Sequence, residues 1–313
     1  MGVYKSFAVT VTGGSHTKQG KGCQDSSFKS DGSEIAIAVV ADGHGEDNCF
    51  RSDRGAKLAV ACAVKGIREF TRIHKSKFSG KEKPFSQNDF HKAIRDLVKH
   101  IIALWQENIG KDIAAYPFLP AELEKADEKH RKRFAAGNKQ SKAYGATLIA
   151  ATITGHYWFA IHIGDGRLNV LQSDGGFEQP VPWDEKCYLN VTTSICDDDA
   201  FERARCYFSF HATNPPPAAI FLCTDGIDDN YPIDGNEKHL FKLFRTIALT
   251  FAEDGFDSTC KQIEDLADSF ATKGKGDDTS IAGFIDMEVL KQTVPVWKKQ
   301  ISEEEIFSGS SIS

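Results

Sequence analysis

A carboxylate, a bare backbone and an imidazole follow one another at Asp42-Gly43-His44-Gly45, directly after the apolar run Ile35 to Ala41. That run is short and rich in Ile and Val, so it reads as a buried strand. The four residues are therefore delivered at the end of a rigid element. The two glycines leave no Cβ in the way, and an ion or ligand can come close to the main chain. The device recurs, because Asp165, Asp225 and Asp277 also sit beside apolar runs, and Asp165 and Asp225 are each followed by glycine. Carboxylates gathered at one end of a core repel strongly in a low dielectric unless a cation neutralises them. A site of oxygen donors favours Mg²⁺ or Mn²⁺ over zinc. Taken singly, each Asp-Gly pair reads first as an ordinary turn; the repetition at several strand ends argues for a site.

The elements that must position these acids are legible as alternating runs. Tyr4 to Thr12 alternates like a half-buried strand, and Gly145 to Ile153, His156 to Ile163, Leu168 to Gln172, Arg205 to His211, Ala218 to Thr224 and Thr279 to Ile285 read as further strands. Helical spacing runs from Glu46 to Ile73, with Ala56, Ala59, Ala63 and Ile67 on one face, and from Phe90 to Ile109 after a capping signal at Ser86 to Asp89. Two more helices are expected near Lys238 to Phe251 and Ser258 to Ala271. Glu122 to Lys142 is dense in charge and reads as a solvated helix and loop, and Lys75 to Pro84 as a basic loop. Strands cluster while helices fall in pairs, which predicts an α+β fold with sheets packed together and helices outside. A single domain over 1–290 is expected, with 291–313 a polar, peripheral tail.

The chain has 313 residues, 41% of them hydrophobic and 26% charged, which is ordinary globular composition. The formal charge of −6 argues against a nucleic-acid groove or an anionic membrane patch. None of the eight cysteines forms a C-x-x-C pair, and several sit in apolar runs, so a reducing, cytoplasmic setting is expected. No apolar run approaches a membrane span. Met1-Gly2 opens a loose N-myristoylation pattern, but the segment reads more simply as the start of the first strand.

Five segments occur in a fixed order: Asp42-Gly43-His44-Gly45, Tyr144-Gly-Ala-Thr147, Gly164-Asp-Gly-Arg167, Thr224-Asp-Gly-Ile-Asp-Asp229 and Gly276-Asp-Asp-Thr-Ser280. Together they resemble the ordered motifs of the metal-dependent protein phosphatases, the type 2C Ser/Thr class, from about residue 7 to 286. Ser15-His16, Gly22 to Ser26 and Asn190 to Ser194 are similar to a bacterial-type branch. The resemblance implies a four-layer α-β-β-α sandwich, two antiparallel β-sheets packed face to face and flanked by helix pairs, with two Mg²⁺ or Mn²⁺ ions at one end. It implies that Asp42 bridges the two metals, that Gly43 gives its carbonyl to one, and that Asp225 and Asp277 complete the other. Asp25 would act through a metal-bound water, and Asp165 matches a position linked to a weaker third ion in some members. His44 matches the proposed general acid; a turn histidine is its plain alternative.

The implied activity is a phosphoprotein phosphatase acting on phosphoserine or phosphothreonine, a monomer whose partners are its phosphorylated substrates. A metal pair offsets the charge of a phosphate dianion and lowers the pKa of a bridging water, and a protonated group beside a poor alkoxide leaving group helps it depart. Many members carry an arginine four residues before the first-motif acidic pair; here that position is Gly20. Lys18 and Lys21 are the candidate phosphate-binding substitutes, although a lysine lacks the planar fork and both read more simply as solvated loop residues. Gln24 also replaces an acid often found before Asp25. A pseudophosphatase that binds without turnover, or a phosphohydrolase of small molecules, therefore stays open as an alternative. The segments Pro117 to Lys142 and Phe177 to Arg205 are candidates for shaping partner choice.

Overall fold

The computed structural model describes residues 3–32, 34–75, 86–184, 186–187, 191–295 and 297–298. Met1-Gly2 of the lipidation pattern, nearly all of the expected basic loop, Asn190 and most of the expected tail lie outside these residues. In chain order the elements begin with β1 (Tyr4–Val11), α1 (Gly14–Lys18), β2 (Ser26–Asp31), β3 (Ile35–Ala41), α2 (Ser52–His74) and α3 (Gln87–Ala115). They continue with α4 (Pro120–Leu123), α5 (Glu128–Ala135), β4 (Leu148–Thr154), β5 (Tyr157–Ile163), β6 (Arg167–Leu171), β7 (Phe177–Glu178) and α6 (Ala200–Arg203). Then come β8 (Arg205–Phe210), β9 (Ala219–Cys223), α7 (Asp225–Asp228), α8 (Asn236–Asp254), α9 (Phe256–Lys273) and β10 (Thr279–Asp286).

The strands form two antiparallel sheets, ordered β1-β10-β9-β6-β7 and β2-β3-β4-β5-β8. The period of two along each strand divides its side chains between two cores. In β3, Ala36, Ala38 and Val40 join the core between the sheets, beside Leu222 and Ala282. The intervening Ile37, Val39 and Ala41 pack in the core formed with α2 and α3, where small residues such as Ala59 and Ala63 permit close approach. A third core joins the other sheet to α8 and α9 through Phe221, Phe244 and Phe251. The result is the expected four-layer α-β-β-α sandwich. Both faces of the central strands are buried, which is why they are apolar without alternation.

Four local features differ from the sequence reading or refine it. β2 was not legible as a strand, because Ser-Ser-Phe-Lys-Ser-Asp lacks an apolar run; it is an edge strand that pairs with β3 along its whole length. The charged stretch after Pro120 is not wholly solvated, since Phe134 is buried against Phe50 and Phe118. Ser86 does cap α3, accepting a bond from the Asp89 N–H at 3.1 Å. Past β10, residues 287–295 are helical, and Leu290, Thr293 and Trp297 are buried. Trp297 donates to the Gly175 carbonyl at 2.5 Å, so the boundary expected at residue 290 falls inside the packed body. Among the described residues no helix is long and apolar enough to cross a membrane.

Candidate metal centre

β3 ends at Ala41, and the next residues are held by the neighbouring turns. The Asp42 N–H donates to Thr147 Oγ1 at 3.0 Å, and the Thr147 N–H returns a bond to the Asp42 carbonyl at 2.7 Å. The Gly43 N–H donates to the Gln24 carbonyl at 3.1 Å. A Cβ on Gly43 would lie 2.7 Å from the carbonyl oxygens of both Gln24 and Ser52, which are backbone and cannot swing aside. Gly43→Ala should therefore cost about 1–3 kcal/mol of stability through overpacking and displace Asp42. Urea denaturation together with Mn²⁺ titration checks both effects.

Four other segments deliver further acids to this end of the sheets. Asp165 lies in the turn between β5 and β6, where Gly164 takes a φ of 112° that a side chain would resist. Asp225 opens α7 immediately after β9. Carboxylate oxygens of Asp42, Asp165 and Asp225 all lie within 4.8 Å of one another. Asp25 is buried next to Asp42 and accepts a bond from Thr224 Oγ1 at 2.9 Å. Asp277 stands at the rim with its side chain 57% exposed, near enough to repel Asp42 and Asp225.

Burial, reinforced by these neighbouring carboxylates, holds Asp25, Asp42 and Asp225 well above the usual carboxylate range. Asp165 is raised as well, mainly by burial, and its buried Oδ1 has no hydrogen-bond partner. Such a group is unfavourable when charged and alone, and divalent cations with oxygen ligands remove the conflict. The donor set therefore fits the expected Mg²⁺ or Mn²⁺.

His44 flanks the centre on the Gly145 side, with its N–H bonded to the Gly145 carbonyl at 3.1 Å. Burial and the nearby Lys142 ammonium push its imidazole down to about 4, against a smaller opposing effect of Glu46. That favours the neutral imidazole at pH 7. Ser194 clamps the adjoining backbone, since its Oγ accepts from the Ala146 N–H and donates to the Ala146 carbonyl, both at 3.1 Å. That gives the Val-Thr-Thr-Ser segment a positioning task.

An open cleft of about 1750 Å³ lies over the acids, lined among others by His16, Asp42, His44, Lys142, Arg167 and Asp277. Lys18 and Lys21 are exposed and do not line it, because the short α1 turns His16 rather than its neighbours toward the acids. Arg167 bonds internally, 2.7 Å from Asp228 Oδ2 and 3.0 Å from the Asp165 carbonyl, in keeping with a structural role. Lys142 pairs with Glu46 at 2.7 Å and keeps 28% of its side chain exposed. Sequence reasoning singled out neither Lys142 nor Asp278, and gave His16 no role. Asp278 accepts the N–H groups of Gly13 and Gln24, both at 2.6 Å. Its only visible signal was the doubled acid in Asp277-Asp278.

The family model described as Protein phosphatase 2C matches residues 12–267. Among solved structures, the Ser/Thr phosphatase Stp1 from Staphylococcus aureus is similar at 15% identity and a TM-score of 0.52, covering 91% of this chain and 97% of that one. The Mycobacterium tuberculosis Ser/Thr phosphatase PstP/Ppp is similar at 13% identity and 0.51, covering 90% and 98%. A catalytic domain of PstP in complex with two manganese ions aligns at 13% identity and 0.47, covering 91% and 99%. Comparison with curated protein sequences gives no match.

Proposed function

The chain belongs to the protein phosphatase 2C family, and from that membership we propose that it is a metal-dependent phosphatase of phosphoserine or phosphothreonine in proteins. The observation that carries this reading is the cluster of Asp42, Asp165 and Asp225 with raised pKa values at the floor of an open cleft. Asp42, Asp165 and Asp225 would hold Mg²⁺ or Mn²⁺, with Asp277 and the Gly43 carbonyl as further donors and Asp25 supporting Asp42. Bound as a pair, such ions would offset the phosphate charge and supply an activated water.

The chain's own groups then bind and orient. Lys142, on the cleft wall, is placed to meet the incoming dianion as a point charge. The same dianion would favour the charged form of His44, so the imidazole would take up a proton with substrate and pass it to the departing serine oxygen. The deciding assay is hydrolysis of a phosphoserine peptide with Mn²⁺. His44→Ala should lower kcat by roughly 10²–10⁴-fold, while para-nitrophenyl phosphate, whose leaving group needs no proton, is affected far less. Undiminished turnover of the peptide by His44→Ala would remove the acid role. No turnover of either substrate by the wild-type protein would favour a binder without catalysis.

The cationic contact has its own test. Lys142→Ala should raise KM for the phosphopeptide by about tenfold, the equivalent of 1.4 kcal/mol. A Lys18→Ala, Lys21→Ala double variant should leave KM within about twofold. The opposite ranking in steady-state kinetics would return the phosphate contact to the lysines read from the sequence.

A further inference from the structure

We propose that His16 is a nitrogen ligand to the divalent ion held by Asp277. This inference rests on the metal-dependent reading above. His16 is on α1, and α1 is fixed to the segment that carries Asp277. The Ser15 N–H donates to the Gly276 carbonyl at 2.9 Å, Ser15 Oγ donates to it at 2.5 Å, and the Gly13 N–H donates to Asp278 Oδ1 at 2.6 Å. A Cβ on Gly13 would lie 2.4 Å from the Gly276 carbonyl, so the two segments are in backbone contact. The imidazole is delivered by this contact and not by a mobile loop.

The ring then has two distinct edges. Nδ1 lies 2.9 Å from Asp278 Oδ2, outside hydrogen-bond alignment, while Nε2 lies 3.9 Å from Asp277 Oδ1. The side chain is 12% exposed and lines the cleft. Two donors, each about 2.1 Å from a shared ion, stand roughly 3.0–4.2 Å apart depending on the angle between them. The Nε2 to Oδ1 separation falls inside that range. A ligating histidine usually donates its other ring N–H to a carboxylate, and Asp278 stands within reach of Nδ1, short of the alignment that bond needs. Asp278 is itself fixed by the two backbone N–H groups it accepts. Among the described residues, no other histidine is recorded within ion-pairing distance of Asp277. A nitrogen donor changes metal choice, since imidazole suits transition ions and Mg²⁺ favours oxygen. The site should accordingly prefer Mn²⁺ to Mg²⁺ more strongly than an all-oxygen site would.

The experiment uses the full chain loaded with Mn²⁺ alone and needs no turnover. Pulsed EPR should detect ¹⁴N coupling to bound Mn²⁺ in the wild-type protein, replaced by ¹⁵N coupling when histidine is isotopically labelled. The coupling should vanish in His16→Asn and persist in His44→Ala. Calorimetric Mn²⁺ affinity of His16→Asn should fall on the order of 10- to 100-fold, with a smaller loss for Mg²⁺. Bound Mn²⁺ without histidine coupling, or coupling that survives His16→Asn, overturns the assignment while leaving the phosphatase reading intact. Failure of the wild-type protein to bind Mn²⁺ removes both. The labelled wild-type spectrum overturns the assignment by itself if it shows no histidine coupling, and His16→Gln takes the place of His16→Asn if the latter does not fold.

Discussion

Asp42→Asn should abolish metal binding and phosphatase activity together, yet make the metal-free protein more stable at neutral pH. The first effect follows from Asp42 lying in the cluster with Asp165 and Asp225. Removing a ligand shared by the metal site forfeits several kcal/mol of transition-state stabilisation. At 1.36 kcal/mol per factor of ten, kcat should fall by about 10³-fold or more. Calorimetric titration should show the loss of Mn²⁺ binding directly.

The second effect follows from the sign of the pKa shift. Burial and the carboxylates of Asp25, Asp165 and Asp277 raise Asp42 well above the usual carboxylate range. A raised carboxylate means that the folded state holds its proton more tightly than the unfolded chain. Without metal, folding is therefore penalised as pH rises from the unfolded value through the folded one, and the full penalty applies above that window. Asparagine cannot ionise, so in EDTA the variant should melt above wild type at pH 7, and the gain should shrink toward pH 4. Saturating Mn²⁺ should reverse the order, since a ligand at 100 times its Kd stabilises by about 2.7 kcal/mol and only wild type would bind it. Scanning calorimetry with EDTA and with Mn²⁺ reads both arms. A variant that melts below wild type in EDTA at pH 7 would show that the acids are compensated without a metal.

The parts of this centre that were legible in the sequence are those fixed by local backbone chemistry. Asp42, Asp165 and Asp225 each announced themselves as an acid and a glycine at the end of an apolar strand, and the structure brings these three together. The layers were legible for a related reason: strands buried on both faces are apolar throughout, and the small residues of α2 indicate close packing. What remained hidden depends on pairings that no local pattern encodes. His16 reaches Asp277 across most of the chain, through backbone contacts between Gly13 and Gly276. β2 carries polar residues because it is an edge strand, so no apolar signal marks it. Lys18 and Lys21 lie beside Gly20 in sequence, the position of the absent arginine, whereas Lys142 comes to the cleft wall from the end of a distant insert.

Arg51→Ala should cost about 3 kcal/mol of stability and loosen the metal centre from a distance. Its side chain is 4% exposed, although nothing around Phe50-Arg51-Ser52 in the sequence marks it as buried. Nε and Nη2 donate to the two oxygens of Glu122, each at 2.7 Å, and Nη1 donates to the Tyr116 carbonyl at 2.7 Å and to Tyr144 Oη at 2.8 Å. The Phe118 ring lies 4.7 Å from the guanidinium carbon. One side chain thus joins the start of α2, the segment around α4 and the tyrosine just before Gly145. Removing one partner of a buried ion pair costs about 3–5 kcal/mol; the lower end applies because Glu122 and Asp112 are about one-fifth exposed. Tyr144 precedes the Gly145 carbonyl that holds the His44 N–H, and a Cβ on Gly145 would touch the His44 ring. Slack at Tyr144 should therefore reach His44. Urea denaturation should give the stability loss, and kcat on a phosphoserine peptide should fall more than kcat on para-nitrophenyl phosphate. Arg51→Lys should recover only part of both, because an ammonium cannot make the two-pronged contact with Glu122. Full recovery by lysine would mean that the charge, and not the fork, holds the insert in place.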